Sequence, residues 1–197
     1  MGRLYCLMGK SSCGKDTIYK MLMADESLAL RRVVPYTTRP IRAGEVEGVE
    51  YHFTDKPGLD KLTAANKVIE CRCYNTVHGD WYYFTVDDED IDLCNHDYLL
   101  IGTLEAYESI RDYYGRDKVV PLFIDLDDGI RLERALNRER SQNEPKYKEM
   151  CRRFIADCED FSEEKIAAAG IESRYINNEL EKCFDDIRSD IASMKGV

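Results

Sequence analysis

A chain of 197 residues, 44% of them hydrophobic, is one domain of ordinary size with enough apolar side chains for a sizeable core. Its net charge of −10 argues against binding a nucleic-acid polymer and makes any local cluster of arginines informative. No apolar run approaches membrane-spanning length and no basic-then-apolar leader precedes the first predicted strand, so the expected location is cytoplasmic, with no membrane partner. The eight cysteines, at positions 6, 13, 71, 73, 94, 151, 158 and 183, form no paired metal-ligand spacing and read as reduced packing thiols.

The first predicted strand is the apolar run at residues 4–8. It ends in Gly9, passes through Lys10, Ser11, Ser12 and Cys13, and meets Gly14-Lys15 where a helical pattern with Ile18, Leu22 and Met23 begins. Strand, tight loop and helix N-terminus are what a phosphate-binding loop requires. Gly9 and Gly14 let consecutive N–H groups turn inward on an anion, the helix adds the positive end of its dipole, and Lys15 brings a full charge to the outer phosphates. The position after the lysine, commonly a hydroxyl that holds Mg²⁺, is Asp16, with Thr17 next. A carboxylate is a good hard-oxygen ligand, so Asp16 is the candidate metal residue. Cys13 reads either as a small residue that the turn tolerates or as a thiol whose modification blocks the loop.

Residues 32–34 read as a second short strand. The following stretch, 35–53, carries Pro35, Pro40, Gly44 and Gly48 and cannot form a long helix. Arg39 and Arg42 among threonine hydroxyls make either an anion clamp or a solvated loop. A short helix is expected over 59–66, a strand over 68–74, a hairpin turn at 78–80, a returning strand over 81–85 and a short acidic helix over 87–93. Residues 98–101 form a continuous apolar run, the mark of a buried parallel strand, and Val119–Asp125 is the next strand. A helix opening at Asp127-Asp128 carries Arg131, Arg134, Arg138 and Arg140, and Asn143-Glu144-Pro145 separates it from a helix opening with Arg152 and Arg153. Arginines on both sides of a polar loop suit a lid, or else a charged helix surface. The second of these helices is expected to continue through 158–169. A last strand follows at 175–176, and Asn177-Asn178-Glu179-Leu180 starts the final helix.

The run Thr37-Thr38-Arg39-Pro40-Ile41-Arg42-Ala43-Gly44-Glu45-Val46-Glu47-Gly48-Val49-Glu50-Tyr51-His52-Phe53, taken with the phosphate loop, resembles the guanylate kinase signature. The resemblance runs from Leu4 to about Ile191. It implies that Arg39, Arg42, Tyr51 and Tyr83 hold the acceptor phosphate, that Glu45 supports the arginines, and that Glu70 accepts from N1–H and the amino group of guanine while Thr85 donates to O6. It also implies lid-side roles for Arg134, Arg138 and Arg153, with Arg131 and Arg152 pairing with Glu or facing solvent, and places Asn177 near the adenine pocket. The family's Asp-x-Asp at the end of the third long strand is Ile101 and Thr103 here.

The expected fold is α/β, a five-stranded parallel core sheet flanked by helices with right-handed crossovers, carrying an inserted mixed-β acceptor-binding unit and a lid. Residues 1–197 are read as one domain: core 1–34, 93–136 and 149–197, acceptor unit 35–92, lid 137–148. The implied reaction is Mg²⁺-dependent transfer of the γ-phosphoryl group of ATP to a nucleoside monophosphate, foremost GMP. Lys15, Arg134, Arg138 and Arg153 are the catalytic candidates, and residues 9–17 with Asn177 the ATP-binding ones. Arg39, Arg42, Glu45, Tyr51, Glu70, Tyr83, Thr85 and Thr103 are the acceptor-binding candidates. A kinase of the same fold with another acceptor (a different nucleotide or a ribose bisphosphate) and a non-catalytic nucleotide-binding module are the alternatives. Either a monomer or a homodimer is compatible with the sequence.

Overall fold

The computed structural model describes residues 2–196 apart from Ala43, Val77, His78 and Glu89. Its organising element is strand β1 (Leu4–Met8), whose five residues are all buried. Apolar side chains on both faces bring neighbours to both edges and helices to both sides. Strands β2 (Leu30–Arg32), β7 (Asp97–Ile101), β8 (Val119–Asp125) and β9 (Arg174–Ile176) complete a sheet of order β2-β7-β1-β8-β9. Every pairing in it is parallel. The expected five-stranded parallel core is therefore present. Leu4, Cys6 and Met8 pack on one face against Tyr107 and Ile110 of helix α3 (Leu104–Tyr114). Tyr5 and Leu7 pack on the other against Ile18 and Leu22 of α1 (Lys15–Ala24) and Ile187 of α7 (Leu180–Lys195).

A second sheet stands on the chain between β2 and β7. Strand β3 (Tyr36–Thr37) runs parallel to β4 (His52–Phe53) and antiparallel to β6 (Gly79–Val86), which pairs with β5 (Val68–Thr76). Leu59 of α2 (Lys56–Ala64), Phe84 and Val86 form its core. The expected turn at 78–80 includes His78, which lies outside the described residues.

Five local expectations change. The second strand sits two residues early, at Leu30–Arg32, because Pro35 cannot donate to a ladder and restrains the residue before it. Helix α2 starts at Lys56 rather than near Leu59, because the Asp55 carboxylate accepts from the Gly58 N–H at 2.8 Å and Pro57 suits the first turn. No acidic helix forms among the described residues of 87–93. Tyrosines from elsewhere take its polar groups: Asp87 accepts from Tyr113 at 2.8 Å and Tyr114 at 3.1 Å, and Asp88 from Tyr36 at 2.9 Å. The Tyr98 hydroxyl bridges the Asp90 carbonyl and the Asp92 N–H. Finally, the helix expected to run on through Ala169 breaks. Helix α5 (Tyr147–Asp160) stops before Phe161, which turns in to pack on Phe123, and Ser162 caps a separate α6 (Glu163–Ala168). Helix α5 also opens earlier than expected, at Tyr147 rather than at Arg152, and residues 141–146 join it to α4 (Asp128–Arg140).

Since Leu7 is fully buried on the central strand, Leu7→Ala removes apolar contact that the surrounding sheet cannot refill. Denaturant unfolding is expected to show a loss of about 2–5 kcal/mol.

Candidate active site

The loop after β1 has the tight geometry that its glycines permit. Gly14 adopts φ +94°, and a Cβ there would lie 2.2 Å from Nδ2 of Asn177. A Cβ on Gly9 would lie 2.5 Å from the Ile124 carbonyl oxygen. Asn177, 1% exposed, sits beneath the loop just after β9 and donates from Nδ2 to the Cys13 carbonyl at 2.7 Å. It braces the loop from behind and does not line the cavity in front of it.

A buried ion cluster braces the loop's other flank. Arg131 is 1% exposed, so the expectation that it faces solvent or pairs with Glu is corrected: its partners are two aspartates. It donates from Nη1 to the Ser11 carbonyl at 2.9 Å and pairs with Asp128 at 2.6 Å and with Asp157 of α5 at 3.6 Å. Asp157 in turn accepts from the Ser11 N–H at 2.8 Å, and Lys10 reaches Asp128 at 3.2 Å. A buried guanidinium must be neutralised, and here Arg131 holds the Ser11 carbonyl while its counter-charge Asp157 holds the Ser11 N–H. Asp157 was not foreseen, because nothing local in the sequence of α5 marks it; it meets the loop only through tertiary packing.

Lys15 opens α1 with Asp16 beside it, and both line a cavity of about 860 Å³ between the two sheets. Neither forms an ion pair among the described residues, so the lysine charge is available to the cavity. Tyr51, Glu70, Tyr83, Thr85 and Thr103 line the same cavity. Thr103 also caps α3, its hydroxyl accepting from the Ala106 N–H at 3.2 Å. Ser12 and Thr17 stay on the loop and the first turn of α1, Ser12 with φ +64° and Thr17 exposed.

At the acceptor end, Arg39 is 3% exposed and forks onto Glu45, with Nη1 and Nη2 at 2.7 and 2.6 Å from its two oxygens. Glu45 also accepts from the Arg42 N–H at 2.8 Å. The guanidinium lies 5.0 Å from the Tyr51 ring centroid, and Tyr51 meets Tyr83 edge-on at 5.6 Å. The Nε of Arg39 is buried without a hydrogen-bond partner among the described residues, and Arg39 itself does not line the cavity. The Arg42 side chain is exposed.

Glu70 is 7% exposed and fully engaged. Thr85 donates to Oε1 at 2.8 Å, and Arg72 donates from Nε to Oε2 at 2.9 Å and from Nη2 to Oε1 at 3.3 Å. Thr85 lines the cavity, but its hydroxyl spends its one proton on Glu70. Arg72 lines the cavity and went unmarked in the sequence, although strand alternation places Glu70 and Arg72 on one face of β5.

The three lid-side arginines are not gathered on the cavity. Arg134 donates to the Asn177 carbonyl at 3.3 Å, close behind Gly14. Arg138 is exposed, and Arg153 donates to Glu149 at 2.9 Å on the surface of α5. Arg152 shares Glu149, as its expected pairing with Glu requires.

Burial pushes the Cys13 thiol above its ordinary pKa, and the side chain is 0% exposed. Of the two readings of Cys13, the tolerated packing residue fits this environment. Brief iodoacetamide labelling followed by peptide mass spectrometry is expected to modify the exposed Cys71, Cys73, Cys94 and Cys151 and to leave Cys13 intact. The Arg39 fork holds the Glu45 carboxyl at about 2, below its ordinary 4.5. The pair's stabilisation is thus complete above pH 4.5 and is lost as pH falls through about 2. A carbon-13 NMR titration of the Glu45 carboxyl should show that low midpoint.

The family model for guanylate kinase matches residues 1–152. The guanylate kinase of Porphyromonas gingivalis is 28% identical over 195 residues, covering 98% of this chain and 97% of its own. That of Paraburkholderia xenovorans is 29% identical, covering 98% of this chain and 81% of its own. Among solved structures, guanylate kinase from Anaplasma phagocytophilum superposes with a TM-score of 0.68 at 19% identity, covering 98% of this chain and 86% of that one, a likeness of fold. A glycine loop delivering Lys15 to one end of a cavity, an arginine–tyrosine cluster at the other and a family match across most of the chain lead to one conclusion: this chain belongs to the guanylate kinase family.

Proposed function

We propose that the chain transfers the γ-phosphoryl group of ATP, as its Mg²⁺ complex, to GMP, giving ADP and GDP. The observation that carries this reading is the single cavity that holds Lys15 at one end and the Tyr51–Tyr83 pair, beside Arg39, at the other. Two anionic substrates repel one another, so the protein's work is positioning and charge neutralisation. Lys15 and the N-terminus of α1 stabilise the donor's outer phosphates as charge spreads over the transferred group. Arg39, Arg42, Tyr51 and Tyr83 hold the acceptor phosphate in line, with Glu45 fixing the orientation of Arg39. Glu70 reads the base, supported by the Thr85 hydroxyl that donates to it, and Thr103 lines the same cavity.

Asp16 offers a hard oxygen donor beside Lys15 in the cavity and is exposed with no cationic partner among the described residues, which suits Mg²⁺. Bound there, the ion would shield the phosphates from one another. Within one domain, residues 35–92 serve as the acceptor unit and 137–148 as the lid. On closure Arg134, Arg138 and Arg153 turn toward the donor, and Arg153 leaves Glu149 for phosphate oxygen. No helix among the described residues is long and apolar enough to cross a membrane, which agrees with a cytoplasmic enzyme acting on small nucleotides as a monomer or homodimer.

A different acceptor base is the second reading. The absence of carboxylates at Ile101 and Thr103, together with Arg72 on Glu70, favours it. ADP release from Mg·ATP, followed in parallel with GMP, dGMP, AMP, UMP and CMP, decides between them. Turnover confined to GMP and dGMP is the expected result, and turnover confined to another base overturns the assignment. Lys15→Ala is expected to lower kcat by about 10²–10³-fold without unfolding the chain.

A further inference from the structure

The contact between Arg72 and Glu70 has no part in holding the sheet together. Glu70 and Arg72 are two residues apart on β5, so both side chains leave the same face of the strand, toward the cavity. Arg72 sets Nε and Nη2 against the two Glu70 oxygens at 2.9 and 3.3 Å, a side-on fork. A carboxylate has one edge on which two parallel N–H groups can meet both oxygens at once. Only 3% of the Glu70 side chain is exposed, and Thr85 already takes a further lone pair of Oε1. A second fork cannot share that edge.

Guanine carries the same donor unit as arginine. Its N1–H and exocyclic amino group flank one carbon, C2, just as Nε–H and Nη2–H flank Cζ. The Arg72 head is thus a chemical likeness, within the chain, of the base edge that Glu70 would read. From this geometry we infer that Arg72 is an internal occupant of the base-reading edge of Glu70, and that a guanine acceptor binds by exchanging its N1–H and amino pair for the arginine fork. This rests on the reading of GMP as acceptor.

The exchange keeps every charge partnered. In the free protein the guanidinium neutralises a buried carboxylate that would otherwise stand unpaired in a pocket. When the base arrives, Glu70 retains two N–H donors and the Thr85 hydroxyl. The released guanidinium has Tyr74 as a neighbour on the same face of β5, lining the same cavity. The cost is affinity: each guanine that binds must first break a charge-assisted fork, so the KM for GMP is higher than the pocket's own contacts would set it. Acceptors that do not engage Glu70 escape that cost and gain nothing from its removal.

Steady-state kinetics on Arg72→Lys and Arg72→Gln test this. Lysine keeps the charge as a point donor and glutamine keeps a polar group, and neither can span both oxygens as a cationic fork. The expected result is a KM for GMP lowered about five- to tenfold, the size of a charge-assisted hydrogen-bond pair set against water. The KM for ATP and any turnover of AMP or UMP should not follow. A merely structural arginine would raise the KM for GMP on removal, so a KM for GMP that stays the same or rises in Arg72→Lys overturns the proposal. Circular dichroism checks that each variant is folded, and Arg72→Gln is read by the same criterion if the lysine variant is not. A wild-type chain that phosphorylates another base and not GMP overturns the acceptor reading, and this proposal with it, before any variant is made.

Discussion

A guanidinium as deeply buried as that of Arg131 exists only with its charge matched, and the way it is matched holds the phosphate loop in place. Asp128 and Asp157 come from two different helices, and between them the cluster fixes both the carbonyl and the N–H of Ser11. Asn177 performs the corresponding task on the other side of the loop through the Cys13 carbonyl. A loop of small residues would otherwise sample many conformations, and anion binding would carry the entropy of ordering it. Here strand β1, helices α4 and α5 and the end of β9 have already ordered the loop. The remaining donors at Gly14, Lys15 and Asp16 open the helix with no carbonyl partners within it.

The acceptor end is organised by the same physics with different partners. Arg39 is almost fully buried, and its fork on Glu45 fixes the direction in which its remaining donor, Nε, points. Two rings flank it, Tyr51 and Phe53. The second sheet therefore holds a fixed cation behind Tyr51, which lines the cavity that Lys15 also lines. The arginines of α4 and α5 are different: Arg138 and Arg153 are surface groups in this conformation, and Arg153 is held by Glu149. Those two arginines lie on the helices that the segment 141–146 joins.

Much of this was legible along the chain because it is local. The apolar run at β1, the glycines around residues 9–15, the continuous strands β7 and β8 and the arginine-bearing helix α4 are each written within a few consecutive residues, and each lies where its pattern placed it. The run from Thr37 to Phe53 carried the resemblance to the family whose model the chain matches, for the same reason. What failed was also physically consistent. The acidic stretch after Val86 has a helix-like composition, but tyrosines from three other elements claim its carboxylates and backbone. The long helix through Cys158 breaks because Phe161 gains more by packing on Phe123 than by extending a surface helix. In both cases long-range contacts outweighed local propensity.

The sequence by itself determined the α/β alternation, the glycine loop after β1 and the family signature, since these depend on hydrophobic periodicity and on spacings within one turn or one strand. Only the tertiary structure decided that Arg131 is a buried brace rather than a surface charge, that Asp157 reaches the loop, and that Arg72 lies across Glu70. Those facts depend on which charges the fold removes from water together. Desolvation is a property of the packed molecule, and no single segment of the chain encodes it.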